Sequence, residues 1–171
     1  MNDQYTSKKQ IILIVDDDTS IRMTARMILE LQDHIVIEAD SGESCLEICQ
    51  VQKPDMILLD AVMPGIDGFA CAKQIKDIFG MDCPPIFMMT ALDDRDSIYR
   101  SFDVGITDYF VKPLDWKGLP QKIERVVLIN SCTKSIKQQS RDMYQMRKQM
   151  NSNSLDTIKS NQERTLNLKI A

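Results

Sequence analysis

Five short apolar runs punctuate the chain: IILIV from Ile11, HIVIEA from His34, DMILLD from Asp55, PIFMMT from Pro85 and DYFVK from Asp108. Each has the length and β-branched or aromatic content of a strand. Between them lie segments with apolar positions at helical spacing: Ser20 to Leu31, Glu43 to Gln50, Phe69 to Phe79 and Asp94 to Phe102, with Trp116 to Ile129 after the fifth run. Strand then helix, five times over, predicts an α/β fold. IILIV and MILL are apolar at every position, as parallel strands covered by helices on both faces must be, so the expected sheet is doubly wound. Residues 9–130 form that domain.

The chain has 171 residues, enough for one domain and a short extension. Its net charge of -4 conceals a division. Residues 1–130 carry 13 Lys and Arg against 22 Asp and Glu, a net charge of -9; residues 131–171 carry 8 against 3, a net charge of +5. The acidic domain excludes a broadly basic nucleic-acid coat. The 41-residue remainder is too small and polar to bury a core of its own. Stepping by three and four along it gives Ile129, Cys132, Ile136, Gln139, Met143, Met146 and Met150, an a/d seam that extends the last helix until NSNS at Asn151 interrupts it. Beyond that point Leu155, Ile158, Leu166 and Leu168 are too sparse to define an element. The remainder therefore reads as a helical, coiled-coil extension that could dimerise or as a partly disordered basic tail; neither nucleic acid nor membrane is an expected partner. The polar N-terminus, followed by an apolar run that stops at three aspartates, fits neither a signal peptide nor a membrane span, so a cytoplasmic location is expected. Cys45, Cys49, Cys71, Cys83 and Cys132 are odd in number and lack a CxxC pair, which reads as reduced core thiols.

In open parallel sheets, chemistry gathers beyond the carboxyl ends of the strands. The first run ends in Asp16, Asp17 and Asp18, the third in Asp60, the fourth in Thr90 and Ala91, and the fifth in Lys112 and Pro113. Crowded carboxylates repel one another unless a cation offsets their charge. Mg2+, which takes oxygen ligands and retains waters, meets that need, and Lys112 can act as a point charge for phosphate. Taken singly, the acids could merely cap helices or sit in turns, Asp18 or Thr19 before the first helix, Asp67 and Asp93 elsewhere. Acids, a hydroxyl and a lysine at four strand ends are harder to explain that way.

The segments IILIVDDD, MILLDAVMPGIDG, IFMMTA and GITDYFVKP resemble the motifs of two-component response-regulator receiver domains (CheY-like), over residues 9–130. The resemblance implies a flavodoxin-like, five-stranded parallel sheet in the order 2-1-3-4-5. It implies that Asp60 is the phosphoacceptor, that Asp17 binds Mg2+ directly and Asp16 directly or through water, and that the Val62 carbonyl completes the protein's ligands. Thr90, Lys112 and the Ala91 N–H would hold phosphoryl oxygens, Ala91 being small enough to admit them. Thr90 and Tyr109 would be the switch, acting on a surface made by the fourth helix, fifth strand and fifth helix. The resemblance also implies a cis Lys112–Pro113 bond, although for X-Pro in general trans is favoured. The chain would then be no turnover enzyme but a phosphoacceptor that assists its own phosphotransfer and dephosphorylation. With His34 as its only histidine, expected at the surface, its phosphate would come from a sensor histidine kinase or phosphotransfer protein. Val62 and Leu92 stand where the family often has polar residues, and apolar cover there predicts slow self-dephosphorylation. DWKGLPQKIERVV resembles receivers that precede helical linkers to diguanylate cyclases, suggesting such an output or another partner.

Two other readings use the same residues. A haloacid-dehalogenase-like phosphatase would make Asp16 the nucleophile and Asp18 the acid, but Ser20 stands where that pattern expects Thr or Val. A pseudo-receiver would bind partners without phosphate, a role for which the intact acids and Lys112 are unnecessary.

Overall fold

A computed structural model describes residues 9–91 and 106–168, with side chains as far as Lys148 apart from positions 131, 134 and 137. The expected helix from Asp94 to Phe102, and Leu92 and Asp93 with it, lie outside the described residues. Five strands, β1 (Ile11–Val15), β2 (Ile35–Ala39), β3 (Met56–Asp60), β4 (Ile86–Ala91) and β5 (Asp108–Lys112), form one sheet in the order β2-β1-β3-β4-β5. All four pairings are parallel. The uninterrupted apolar runs are the reason. β1 and β3 are central and need cover on both faces, and Leu13, Ile57 and Leu59 are fully buried.

Helices α1 (Thr19–Glu30), α2 (Gly42–Val51) and α3 (Gly68–Phe79) connect the strands. Each begins at a side-chain cap: Asp18 accepts from the Ser20 N–H (2.7 Å), Ser41 from the Ser44 N–H (3.3 Å) and Asp67 from the Ala70 N–H (2.7 Å). Asp18 thus caps a helix as expected, whereas Asp67, expected in a turn, is a helix cap as well. Between α2 and α3 the thiols of Cys45, Cys49 and Cys71 are buried together, and hydrogen bonding that keeps Cys45 as the S–H partner of Cys49 and Cys71 holds it well above the usual thiol range. Cys132 breaks the expectation of five core thiols, because it lies exposed on a helix.

A last helix spans Leu119–Leu168. The NSNS stretch does not end it, so the expected interruption at Asn151 is corrected: polar side chains weaken a helix without breaking its backbone hydrogen bonds, and neither Gly nor Pro occurs there. The chain divides into two compact units, Met1–Glu124 and Arg125–Ala171. Among the described residues no helix is long and apolar enough to cross a membrane.

His34 is also not where the sequence reading put it. It is buried, with 8% of its surface exposed, just ahead of β2, and its Nδ1 accepts the Gln10 N–H at 3.4 Å. Ahead of β1 that N–H needs an acceptor, and the imidazole supplies one at the bottom of the sheet. Burial lowers the His34 pKa, with Asp33 opposing the shift. The native state therefore holds His34 neutral while the unfolded chain protonates it below about pH 6.5. Stability is present above that value and falls as pH drops through it toward the depressed native pKa. Urea unfolding at pH 7.5 and 5.5 should show the chain losing more stability than His34→Gln over that interval; equal losses would contradict this assignment.

Candidate functional site

Parallel strands in register bring their carboxyl ends to one edge. Val15 pairs with Ala39, Asp60 with Met89, and Ala91 with Lys112, so the residues that end β1, β3, β4 and β5 rise together. The chain order reverses between β1 and β3, where β1 hands on to β2 on one side while β3 lies on the other. Such a point leaves a crevice above the strands. Asp16, Asp17 and Asp60 meet there, each presenting a carboxylate oxygen within 4.8 Å of the others.

Lys112 reaches them from β5. Its Nζ lies 2.9 Å from Asp60 Oδ2 and 3.0 Å from Asp16 Oδ2, bridging side chains 52 and 96 residues away in sequence. Burial alone would lower the lysine's pKa, but hydrogen bonds to Asp60 and Asp16 outweigh it and hold the ammonium above its usual range. Asp60, 4% exposed, has its pKa raised by burial first, and the Asp16 charge adds to this against the pull of Lys112. Three carboxylates facing one ammonium leave a formal excess of two negative charges, the charge of one divalent cation. The donors are all oxygen and Asp17 is exposed to solvent, which suits a hard ion that keeps its waters. The residues present therefore fit a metal.

The remaining expected site residues stand around this core. The Val62 N–H donates to Asp60 Oδ1 at 3.5 Å, at the limit of a hydrogen bond, but the Val62 side chain is 78% exposed. Leu92, the other residue of the expected apolar cover, lies outside the described residues. Thr90, next to last in β4, is half-buried and donates its hydroxyl to the carbonyl of Ala91 (3.3 Å), which ends the strand exposed. Tyr109, 40% exposed, is on β5 three residues before Lys112, its N–H donating to Asp108 Oδ1 (2.8 Å). The Lys112–Pro113 bond is cis, against the general trans preference of X-Pro, whose cis form is only slightly disfavoured.

Three supporting residues escape a reading of strand ends. Arg22, on the first turns of α1, donates through Nη1 to the carbonyls of Asp16 (2.7 Å) and Asp17 (3.3 Å) and pairs through Nε with Glu38 on β2 (3.3 Å). It clamps the loop that carries two of the acids. The signal was Glu38, a charge inside an otherwise apolar strand. Glu43 on α2 accepts the Ile66 N–H (3.1 Å) and steadies the loop after Asp60. Gly68 opens α3 against the backbone of Asp60 and Ala61: a Cβ there would collide with the Asp60 carbonyl and lie 2.8 Å from Ala61 Cα. In the sequence only the dipeptide Asp67-Gly68 hinted at it.

Residues 12–124 match the model of a response regulator receiver domain family. The transcriptional regulatory protein AfsQ1 of Streptomyces coelicolor is 36% identical over 116 residues, which is 68% of this chain and 50% of that protein. The transcriptional regulatory protein ResD of Bacillus subtilis is 37% identical over 116 residues, 68% of this chain and 47% of that one. The chain thus spans about half the length of the curated relatives it matches. Among solved structures, a putative response regulator from Chloroflexus aurantiacus superposes with a TM-score of 0.65 at 30% identity, covering 71% of this chain and 99% of that chain.

Proposed function

The chain belongs to the response regulator receiver domain family, and from that premise we propose that it accepts a phosphoryl group on Asp60, with Mg2+, from the phosphohistidine of a sensor kinase or phosphotransfer protein. Residues 9–130 would be the receiver and 131–171 its extension. The observation that carries this reading is the Lys112 ammonium seated between the carboxylates of Asp60 and Asp16 with Asp17 beside them. Lys112 holds one oxygen of each acid, but Asp16 is fully buried with its Oδ1 taken by the Asp18 N–H at 2.9 Å, whereas Asp60 Oδ1 accepts only the 3.5 Å bond from the Val62 N–H, which favours Asp60 over Asp16 as nucleophile.

In the transfer an Asp60 oxygen attacks phosphorus. The new P–O bond forms as the P–N bond of the donor phosphohistidine breaks, and the electron pair returns to the imidazole, which takes up a proton. Asp16, Asp17, Asp60 and the Val62 carbonyl would hold Mg2+, whose charge offsets that of the phosphoryl oxygens. Lys112 adds a second positive charge at the acceptor, and the Ala91 N–H a hydrogen bond. The Thr90 hydroxyl exchanges its 3.3 Å bond to the Ala91 carbonyl for a charged phosphoryl oxygen, drawing the end of β4 toward Asp60. Tyr109 moves into the space this leaves. The altered surface comprises β5 and its neighbouring helices, and it controls self-association, through that face and the C-terminal helix, or the docking of a diguanylate cyclase-type or other output partner.

Acetyl phosphate with Mg2+ tests this directly: one phosphoryl group is expected on the intact chain by mass, on the peptide containing Asp60. No gain in mass, together with no response to beryllofluoride, would favour the phosphate-independent reading. Phosphate on Asp16, or turnover of small phosphomonoesters, would favour the phosphatase. The clamp gives a further prediction. Because Arg22 orients the Asp16–Asp17 loop without offering a ligand atom, Arg22→Ala should weaken Mg2+ binding about tenfold or more by calorimetry while leaving Asp60 available. Unchanged affinity would remove Arg22 from the site.

A further inference from the structure

Ile129, Cys132, Ile136, Gln139, Met143 and Met146 follow one another at intervals of three and four on the C-terminal helix, and every one of them is exposed. A helix of ordinary propensity that bares Ile and Met along one line in water lacks the packing that normally stabilises helices. We infer that this line pairs with the same line on a second copy, as a parallel, in-register two-stranded coiled coil. The inference rests on the reading that self-association is an output, and supplies its partner and register.

Four observations select a second copy. With Ile129, Ile136 and Met143 at a and Cys132, Gln139 and Met146 at d, exposed Arg141 and Lys148 fall at f, on the face opposite the seam, where their charge stays in water. The flanking e and g positions Thr133, Ser135 and Ser140 are small, and the Thr133 hydroxyl folds back onto the Ile129 carbonyl (2.9 Å), so two backbones can approach. The charged flanking residues Asp142 at g and Arg147 at e stand five apart, the g-to-e′ spacing that joins opposite charges across a parallel dimer. Gln139 is the single polar d layer among the described positions, and only a partner in the same register offers another amide to it. An unrelated apolar partner would leave that amide unpaired. An antiparallel copy would set g against g′ and e against e′, and lose the Asp142–Arg147 pair.

Cys132 reports the geometry in the full chain. At a d position two copies of it face each other, within reach of a disulfide when copper(II)-phenanthroline and dioxygen take up the two electrons and two protons. Oxidation should give a covalent dimer that Cys132→Ser abolishes. Met146→Cys placed on Cys132→Ser should restore it, because in-register helices meet at both levels. Asp142→Arg should weaken association about tenfold by sedimentation equilibrium, and adding Arg147→Asp should recover it. A chain that stays monomeric up to about 100 μM, crosslinking at one level only, or a double swap that recovers nothing would each overturn the pairing. Crosslinking is read with and without beryllofluoride and Mg2+. Failure here appears as no dimer in either state, whereas failure of the phosphoacceptor reading appears as no mass gain with acetyl phosphate.

Discussion

Asp60→Asn should end phosphoryl acceptance from acetyl phosphate, lowering the labelling rate roughly a thousandfold or more, because the amide is no competent nucleophile toward phosphorus. The same substitution should make the cation-free protein more stable, which separates loss of the nucleophile from loss of the fold. Asp60 is buried, beside Asp16, and its native pKa lies above the value of 3.8 expected in the unfolded chain. A group shifted in that direction contributes fully below its unfolded pKa, and the contribution is lost as pH rises through its native pKa. At neutral pH the ionised carboxylate is therefore a cost, and Asp60→Asn should be the more stable protein in urea unfolding, by a margin that shrinks toward pH 4. Lys112 keeps its second partner, Asp16, at 3.0 Å in that variant. Labelling that survives the substitution would move the acceptor elsewhere, and a less stable protein at pH 7 would mean that the Lys112 pair outweighs the burial of Asp60.

Gly68→Ala should damage the protein far more than its single methyl group suggests. The added Cβ would collide with the Asp60 carbonyl and sit 2.8 Å from Ala61 Cα and 2.9 Å from Asp60 C, all backbone atoms that cannot rotate away. Either α3 lifts from the end of β3 or the Asp60 peptide shifts, and the Gly68 N–H loses its bond to the Ala61 carbonyl (3.1 Å) in the process. A cost of about 3 kcal/mol is expected, with a drop in Tm of roughly 10 °C or more and slower labelling of Asp60 in whatever remains folded. Gly80→Ala is the comparison: a Cβ there meets nothing within 4 Å, and the cost is limited to its positive φ of 55°. Equal melting temperatures for the two variants would show that the close approach at Gly68 carries no strain.

Much of this was legible before any coordinates, and the reasons differ by residue. IILIV and MILL announce buried parallel strands because no residue in them favours water on either face, and strand-helix alternation then leaves few architectures. The acids after β1, Asp60 and Lys112 could be named as a set because each follows an apolar run directly, and parallel strands put such positions at one edge. His34 could not be placed, since its neighbours are mixed and its burial depends on a Gln10 N–H that needs an acceptor from another strand. The helix beyond Asn151 was hidden because propensity over a polar stretch is nearly neutral, leaving continuity to the backbone.

The sequence by itself determined which elements form and which chemical groups end them, because local periodicity, caps and apolar runs act over a few residues. Tertiary structure alone decided that Asp16, Asp17, Asp60 and Lys112 share one crevice, that Arg22 and Gly68 shape it, and that His34 is enclosed. Those facts depend on strand order and on side chains up to 96 residues apart, where hydrogen-bond reach and close packing decide and no local pattern records the result.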